Sequence, residues 1–495
     1  MTRKLKLLFC VVLCTFTLSC SDWLKVSSED RIMENDLFRT PRGFMTALNG
    51  IYINLLNTGL YGKTLTWGMA DILAQYYTCR EKDHSYASLA KFDNTAKNNA
   101  VSGCWSSSYA LLNNVNTLLE HCETDRDVLD DTYYHVIKGE ALALRALLHF
   151  ELFRIFGPNY NEDKESECIP YASTSETKVN PLQKAGEIAR LIMEDLKNAE
   201  ELLAGFDPVI KEGAVWGDGP DGSSNDMRYR SMRLNYYAVQ GLTARVALYC
   251  GDKDVAWNYA DKVIRGVREE HKWFPFVTQE EAVTTDKEDR IYQSEMLFGL
   301  YNLKRKTSVY EIGFGNNLKQ SSVLRVDKEI MKNMYDEDDN DFRLSYWFKE
   351  LVDPENKTYY HMIRYMDVDD KDAKTELSKG YSYIIPVIRL AEVYLIAAEC
   401  CPDPKEGRDY LNTVRGARNV KDIPDEADLI TSIESEYKRE FIGEGQLFWL
   451  YKRKGKTEIA SGEKLEQVVS MEKRFYLFDL PQSEREYRKE NSVDK

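Results

Sequence analysis

The segment IIPVIRLAEVYLIAAECCPDPKEGRDYLNTVRGARN, from Ile384 to Asn419, leaves its backbone few options. Leu390, Val393, Tyr394, Ala397, Ala398 and Cys401 fall at i, i+3, i+4, i+7, i+8 and i+11, one continuous apolar stripe on an α-helix. The Cys-Pro-Asp-Pro turn ends that helix, because proline cannot continue the hydrogen-bond ladder. Tyr410, Leu411, Val414 and Ala417 then carry a second helix back across the first. The pattern predicts an antiparallel hairpin over Pro386–Asn419.

The same arrangement repeats along the chain. In RLNYYAVQGLTARVALYCGDKDVAWNYADKVI, residues Ala244, Leu248, Gly251, Ala256, Ala260 and Val263 follow the small/large alternation of a tetratricopeptide unit, with its turn at Gly251-Asp252. Tyr133–Phe156 places Leu144, Leu147, Leu148, Leu152 and Ile155 on one face and pairs with Pro181–Ala204. Thr46–Asn57 pairs with Ser106–His121. One hairpin cannot bury its own face, so such units stack. The expected fold is mostly α, a scaffold of tetratricopeptide-like hairpins. Three irregular stretches interrupt it: Leu60–Gly103, the Gly/Asp/Ser-rich Lys211–Tyr229, and Lys272–Asp370, where EMLFGLY and SVYEIGF read as short β elements. Loops on a rigid scaffold are where binding residues concentrate.

Four segments, in order, carry a family resemblance. RLAEVYLIAAE followed by LNTVRGARN closely resembles the C-terminal signature of the SusD/RagB family of outer-membrane nutrient-binding lipoproteins. GEALALRALLHFELFRIFGP (Gly139–Pro158), SIESEYKREFIGEGQLFWLYKRKG (Ser432–Gly455) and LFDLPQSEREYRKEN resemble its other motifs. Trp449 stands where that family usually has Asp, and its Asn-Pro ending is absent. The resemblance covers essentially the whole chain after residue 19. It divides the chain into a leader (1–19), an N-terminal SusD-like region (20–230) and a C-terminal RagB/SusD-like region (231–495), with helix pairs shared across the boundary.

The N-terminus agrees independently. Arg3, Lys4 and Lys6 precede an apolar run from Leu7 to Leu18. That run is shorter than the roughly 20 residues a bilayer span needs and reads as a signal peptide. Cleavage before Cys20 makes Cys20 the lipid attachment site, and multiple acyl chains anchor a protein stably. The formal charge is −15, which disfavours nucleic acid and anionic lipid as partners of the bulk field. Of the ten cysteines, Cys10, Cys14 and Cys20 belong to the leader and anchor. Cys79, Cys104, Cys122, Cys168, Cys250, Cys400 and Cys401 remain, an odd number without C-x-x-C spacing. Cys250 and Cys401 read as small core residues on apolar stripes, and one or two disulfides stay open.

No catalytic or metal constellation stands out, and no cofactor is expected. The six histidines form no H-E-x-x-H. The run from Asp336 to Asp341 begins like a calcium loop, but Asp341 and Trp347 occupy the glycine and bidentate-glutamate positions. Arg343, in the same segment, reads as a structural residue, and Glu392 and Glu399 read as ion-pair partners. Asp367, Asp369, Asp370 and Asp372 form a solvated turn, and GFGNN at Gly313 lacks the context of a phosphate loop.

Sugar rings present apolar C–H faces to aromatic side chains and hydroxyls to polar ones. The segment ILAQYYTCREKDHSYASLAKFDN offers that mixture: Tyr76, Tyr77 and Tyr86 among Arg80 and Asp83, with Trp67 just upstream. The resemblance implies sugar-contacting aromatics both there and in the middle insert, which adds Trp273, Tyr301 and Tyr310. It further implies a non-enzymatic surface lipoprotein that captures oligosaccharides and passes them to a TonB-dependent, SusC-like transporter. Peptide cargo in the same role, or glycoside hydrolysis by two facing carboxylates, are the alternatives.

Overall fold

In the computed structural model, which describes residues 36–176, 179–220, 224–283, 288–335, 340–367 and 380–492, helices begin where short polar side chains can cap them. Helix α1 (Pro41–Asn54) starts at Thr40, with proline in the first turn. Helices α2 (Asn94–Thr124) and α3 (Asp131–Phe156) start at Asp93 and Asp130. After α4 (Ala185–Leu203), α5 (Tyr236–Tyr249) and α6 (Lys253–Ile264) are capped by Asn235 and Asp252. Helix α7 (Leu390–Cys400) precedes α8 (Pro404–Ala417), where Asp403 accepts from the Lys405 N–H and Pro404 opens the helix. Helix α9 (Leu429–Glu440) starts at Asp428, and α10 (Leu447–Lys454) follows. In each cap a side-chain oxygen satisfies an N–H that the helix leaves unpaired.

Each helix from α1 to α8 packs against the next along the chain, as stacked tetratricopeptide-like hairpins require. The α5–α6 turn uses Gly251 at φ +77°, the left-handed region that glycine enters without steric cost. At the α7–α8 crossing, a Cβ on Gly407 would sit 2.8 Å from the Ala398 carbonyl oxygen, so only glycine fits.

Several elements differ from the sequence reading. Helix α7 is buried on nearly every side rather than along one stripe, because α5, α6, α8 and α9 surround it. Pro386–Arg389, assigned above to the hairpin, belong instead to a strand, Ile384–Arg389. Helix α2 begins at Asn94, twelve positions before Ser106. Cys250 and Cys401 are half-buried C-terminal caps, not core-stripe residues, and all seven cysteines in the described residues are free thiols. Trp105 packs between helices, against Tyr109 and Phe156.

Strands β1 (Glu167–Pro170) and β2 (Leu182–Lys184) form a small ribbon between α3 and α4. Between α6 and α7 lie β3 (Met296–Tyr301), β4 (Arg325–Asp327), β5 (Phe348–Val352) and β6 (Thr358–Met362), followed by β7 (Ile384–Arg389). The middle three form an antiparallel sheet in the order β4-β6-β5, and β3 pairs with β7 to close the insert. SVYEIGF is not a strand: Lys306–Gly313 is a short helical segment of two successive pieces, Lys306–Tyr310 and Glu311–Gly313. Its apolar residues bury Val309, Tyr310 and Gly313 on one side, a spacing too short to separate helix from strand by period.

Helix α9 carries the densest polar network. Arg343 donates to Asp341, to Glu436 at 2.6 Å and to Glu440 at 2.7 Å. Arg389 reaches Glu440 and Glu444, and Arg418 bridges Glu295 and Glu440. Arg415 and Arg439 complete Glu436, and Arg364 pairs with Glu444 at 2.6 Å. All these groups are buried. Burial alone would raise the Glu440 carboxyl, but Arg418, Arg389 and Arg343 outweigh it and hold it well below the usual range. Removing one partner strands a buried charge, which costs about 3–5 kcal/mol. Arg418→Ala is therefore expected to lose about that much stability in a urea titration; a loss below about 1 kcal/mol would contradict this role.

A second buried group makes the fold acid-sensitive. His149 on α3 stacks on Tyr171 at 3.8 Å; its Nδ1–H donates to the Arg145 carbonyl, and its Nε2 accepts from the Ala172 N–H. Burial pushes its pKa down from 6.5 to about 3. The folded state therefore favours the neutral ring, a contribution complete above pH 6.5 and lost as pH falls toward 3. The slope is roughly 1.4 kcal/mol per pH unit. Between pH 6.5 and 5, before most carboxylates titrate, wild-type stability should fall more steeply than that of His149→Gln, in which His361, lowered by burial to about 4, and His84 still contribute.

Candidate functional site

The N-terminal irregular segment folds back onto the middle insert. Ser85 N–H donates to the Ser321 carbonyl, and Thr78 N–H donates to the Arg325 carbonyl in β4. This stitching brings the helical turn 306–313 against Trp67, whose ring would lie 2.8 Å from a Cβ on Gly313 and meets Phe314 edge-on. Trp67 is 1% exposed. It is the wall between the two segments, not a surface platform.

Two hollows flank that turn. The first, about 600 Å³, is lined by Asn57, Lys63, Ser85, Tyr86, Asn99 and Ile312 among others. Tyr86 is half-buried, with the Lys63 ammonium 5.2 Å from its ring centroid, and Ile312 is 42% exposed. The second, about 940 Å³, is lined by Glu288, Arg290, Lys306, Tyr310, Asn316 and Asn317, with Met366 and Asp367 at its edge. Glu288 pairs with Arg290, and Lys306 lies 3.9 Å from Asp367. Tyr310 is mostly buried, and burial raises its phenol. Together the hollows offer one half-exposed aromatic, one exposed aliphatic side chain and a ring of amide, hydroxyl and charged groups. That composition suits a neutral, hydroxyl-rich ligand.

The structure separates the sequence candidates. Tyr76 and Tyr77 are core residues at 0% and 2% exposure. Tyr76 donates its O–H to the Lys438 carbonyl at 2.8 Å. Tyr77 donates to Asp71, which also accepts from the Gly443 and Gly445 N–H groups. Burial pushes Asp71 up to about 8 against those three donors. The pair therefore locks the irregular segment to the Gly443–Gly445 turn and presents no ring face outward. Arg80 is half-buried and bonds Gln75 at 3.0 Å, while Asp83 is exposed and lines neither hollow. Trp273 stacks on His271 at 4.3 Å and covers Gly213. Tyr301 packs edge-on against Tyr383. Of the aromatic candidates, Tyr86 and Tyr310 line the hollows.

Sequence reasoning missed Lys63, Ile312, Asn316 and Asn317. The last two sit in the GFGNN run that was weighed only as a phosphate loop; two amides beside a glycine turn are the signal that marked them. Glu392 and Glu399 are ion-pair partners as expected, of Arg245 and Arg453. Truncating Tyr77 to alanine should lower stability by about 3–5 kcal/mol, as for other buried aromatics. Tyr86→Ala should cost less than about 1 kcal/mol, and thermal melts of the two variants separate core from surface.

A family model described as the SusD family matches residues 207–490. A second, described as starch-binding associating with outer membrane, matches residues 22–207. No curated protein matches the chain. Among solved structures, a SusD superfamily protein from Bacteroides thetaiotaomicron VPI-5482 superposes with a TM-score of 0.71 at 22% identity, covering 90% of this chain and 98% of that one. A putative sugar binding protein from Bacteroides vulgatus ATCC 8482 gives 0.69 at 22% identity, covering 90% and 96%. A structure described as with xylogluco-oligosaccharide gives 0.59 at 17% identity, covering 82% of each chain. These identities establish a shared fold.

Proposed function

The chain belongs to the SusD family, and on that premise we propose that it captures oligosaccharides in the paired hollows beside the 306–313 turn. The observation that carries this reading is the placement of Tyr86, Lys63 and Ile312 on one side of that turn and Tyr310, Asn316 and Asn317 on the other. A saccharide spanning both stacks a ring face on Tyr86 or Ile312 and gives its hydroxyls to Asn99, Asn317 and Ser85. Water competes for every hydroxyl, so affinity rests on the apolar contacts and selectivity on the amides. The sugar-binding descriptions of two structural neighbours support the ligand class.

Capture and release, without covalent change, is the proposed mechanism. Cys20 carries the lipid anchor at the outer membrane, and the stacked helices offer a TonB-dependent, SusC-like transporter a broad rigid docking face. The family model's association with the outer membrane supports that location.

Affinity-gel electrophoresis and calorimetry against a panel of neutral glycans test the reading. Binding without new reducing ends is expected, weakened about tenfold or more, about 1.4 kcal/mol, by Tyr86→Ala and by Asn317→Ala. Glycan turnover, or binding of peptides with no glycan bound, would overturn it.

A further inference from the structure

A small cavity of about 40 Å³ lies where α3, α5, α7, α9 and α10 meet. Phe150, Leu248, Ile396 and Leu450 supply its apolar lining; Arg154, Arg245, Arg453, Tyr249, Tyr437, Gln446, Trp449 and Glu392 supply the polar part. Four buried donors on these side chains have no hydrogen-bond partner within the protein: Arg154 Nε, Arg245 Nη1, Tyr249 Oη and Trp449 Nε1. The carboxylate and amide acceptors are already engaged. Glu392 accepts from Arg245 at 2.6 and 2.5 Å, and Gln446 Oε1 accepts from Arg154 at 3.0 Å.

The charge pattern points the same way. Three guanidinium groups line the cavity. Their carboxylate partners are Glu151, Glu392 and Glu399, and of these only Glu392 belongs to the lining. The interior therefore faces more positive than negative charge and more donors than acceptors. A buried donor left unpaired costs on the order of 1–3 kcal/mol. One water offers two lone pairs to four donors and must place two hydrogens of its own. A spherical anion accepts from all four and donates nothing.

We propose that this cavity is a binding site for a monovalent anion of chloride size, held by Arg154, Arg245, Tyr249 and Trp449. The donors come from α3, α5 and α10. The ion thus joins the N-terminal hairpins to the C-terminal helix, away from both hollows and independently of what they bind.

Bromide is the probe. Crystals of the protein grown in sodium bromide should show one anomalous peak in the cavity, within hydrogen-bond reach of the four donors. In solution, chloride or bromide should raise the melting temperature saturably, by about 2–3 °C over gluconate at equal ionic strength. Tyr249→Phe and Trp449→Phe, which keep a ring and lose a donor, should fold and lose most of that halide-specific rise. Water-like density without anomalous signal would overturn the proposal. So would an equal rise in gluconate and halide, or an unchanged halide response in both variants.

Discussion

The cluster of buried arginines around Glu436 and Glu440 is the constraint on which the rest of the structure depends. Its members come from the middle insert (Glu295, Asp341, Arg343, Arg364), from β7 (Arg389), from α8 (Arg415) and its C-terminal cap (Arg418), and from α9 and the turn after it. Burying each of these ions costs several kcal/mol of desolvation, which several partners offset better than one. Assembled together, the carboxylates and guanidinium groups satisfy one another at a single geometry. The arrangement forces insert, hairpin and C-terminal helix into one register.

A second lock works through backbone carbonyls. Lys452 on α10 is buried and donates to the carbonyls of Arg154 and Gly157, both at 2.8 Å. It caps the C-terminus of α3, where unpaired carbonyls concentrate negative charge. Burial lowers its pKa to about 7. The Phe-Gly end of α3 and the WLYKR run of α10 were separate motifs in the sequence; in space the first accepts and the second donates. Tyr77, Asp71 and the Gly443–Gly445 turn join the N-terminal irregular segment to the same corner.

Legibility followed the physics of each signal. Helix pairs were readable because amphipathic period and capping residues are local, and all four expected pairs are present. The full burial of α7 was not readable, since a stripe reports only the faces that alternate with polar residues. Arg343 was read as structural and Glu392 and Glu399 as ion-pair groups, but which arginine meets which glutamate depends on contacts across up to 147 positions, as for Arg245 and Glu392. The ligand aromatics were hardest. Tyr76, Tyr77 and Tyr86 look alike in sequence, yet a tyrosine's hydroxyl bonds as readily to a buried carbonyl as to a sugar. Only the fold sorts core from surface.

The ribbon formed by β3 and β7 gives the insert a fixed mouth. Met296 and Arg389 pair across it, as do Tyr301 and Ile384, so the chain leaves and re-enters the scaffold at one place. For a loop closed in this way, the entropic cost grows only with the logarithm of its length, about 0.6 kcal/mol per doubling. Outside the segments that carry Asp341, Arg343 and Arg364, the polypeptide beyond the ribbon can lengthen, shorten or exchange its turns while the hairpins beneath keep their packing. Evolution can therefore rewrite the recognition surface at little thermodynamic expense, and a protein engineer can graft there without redesigning the core.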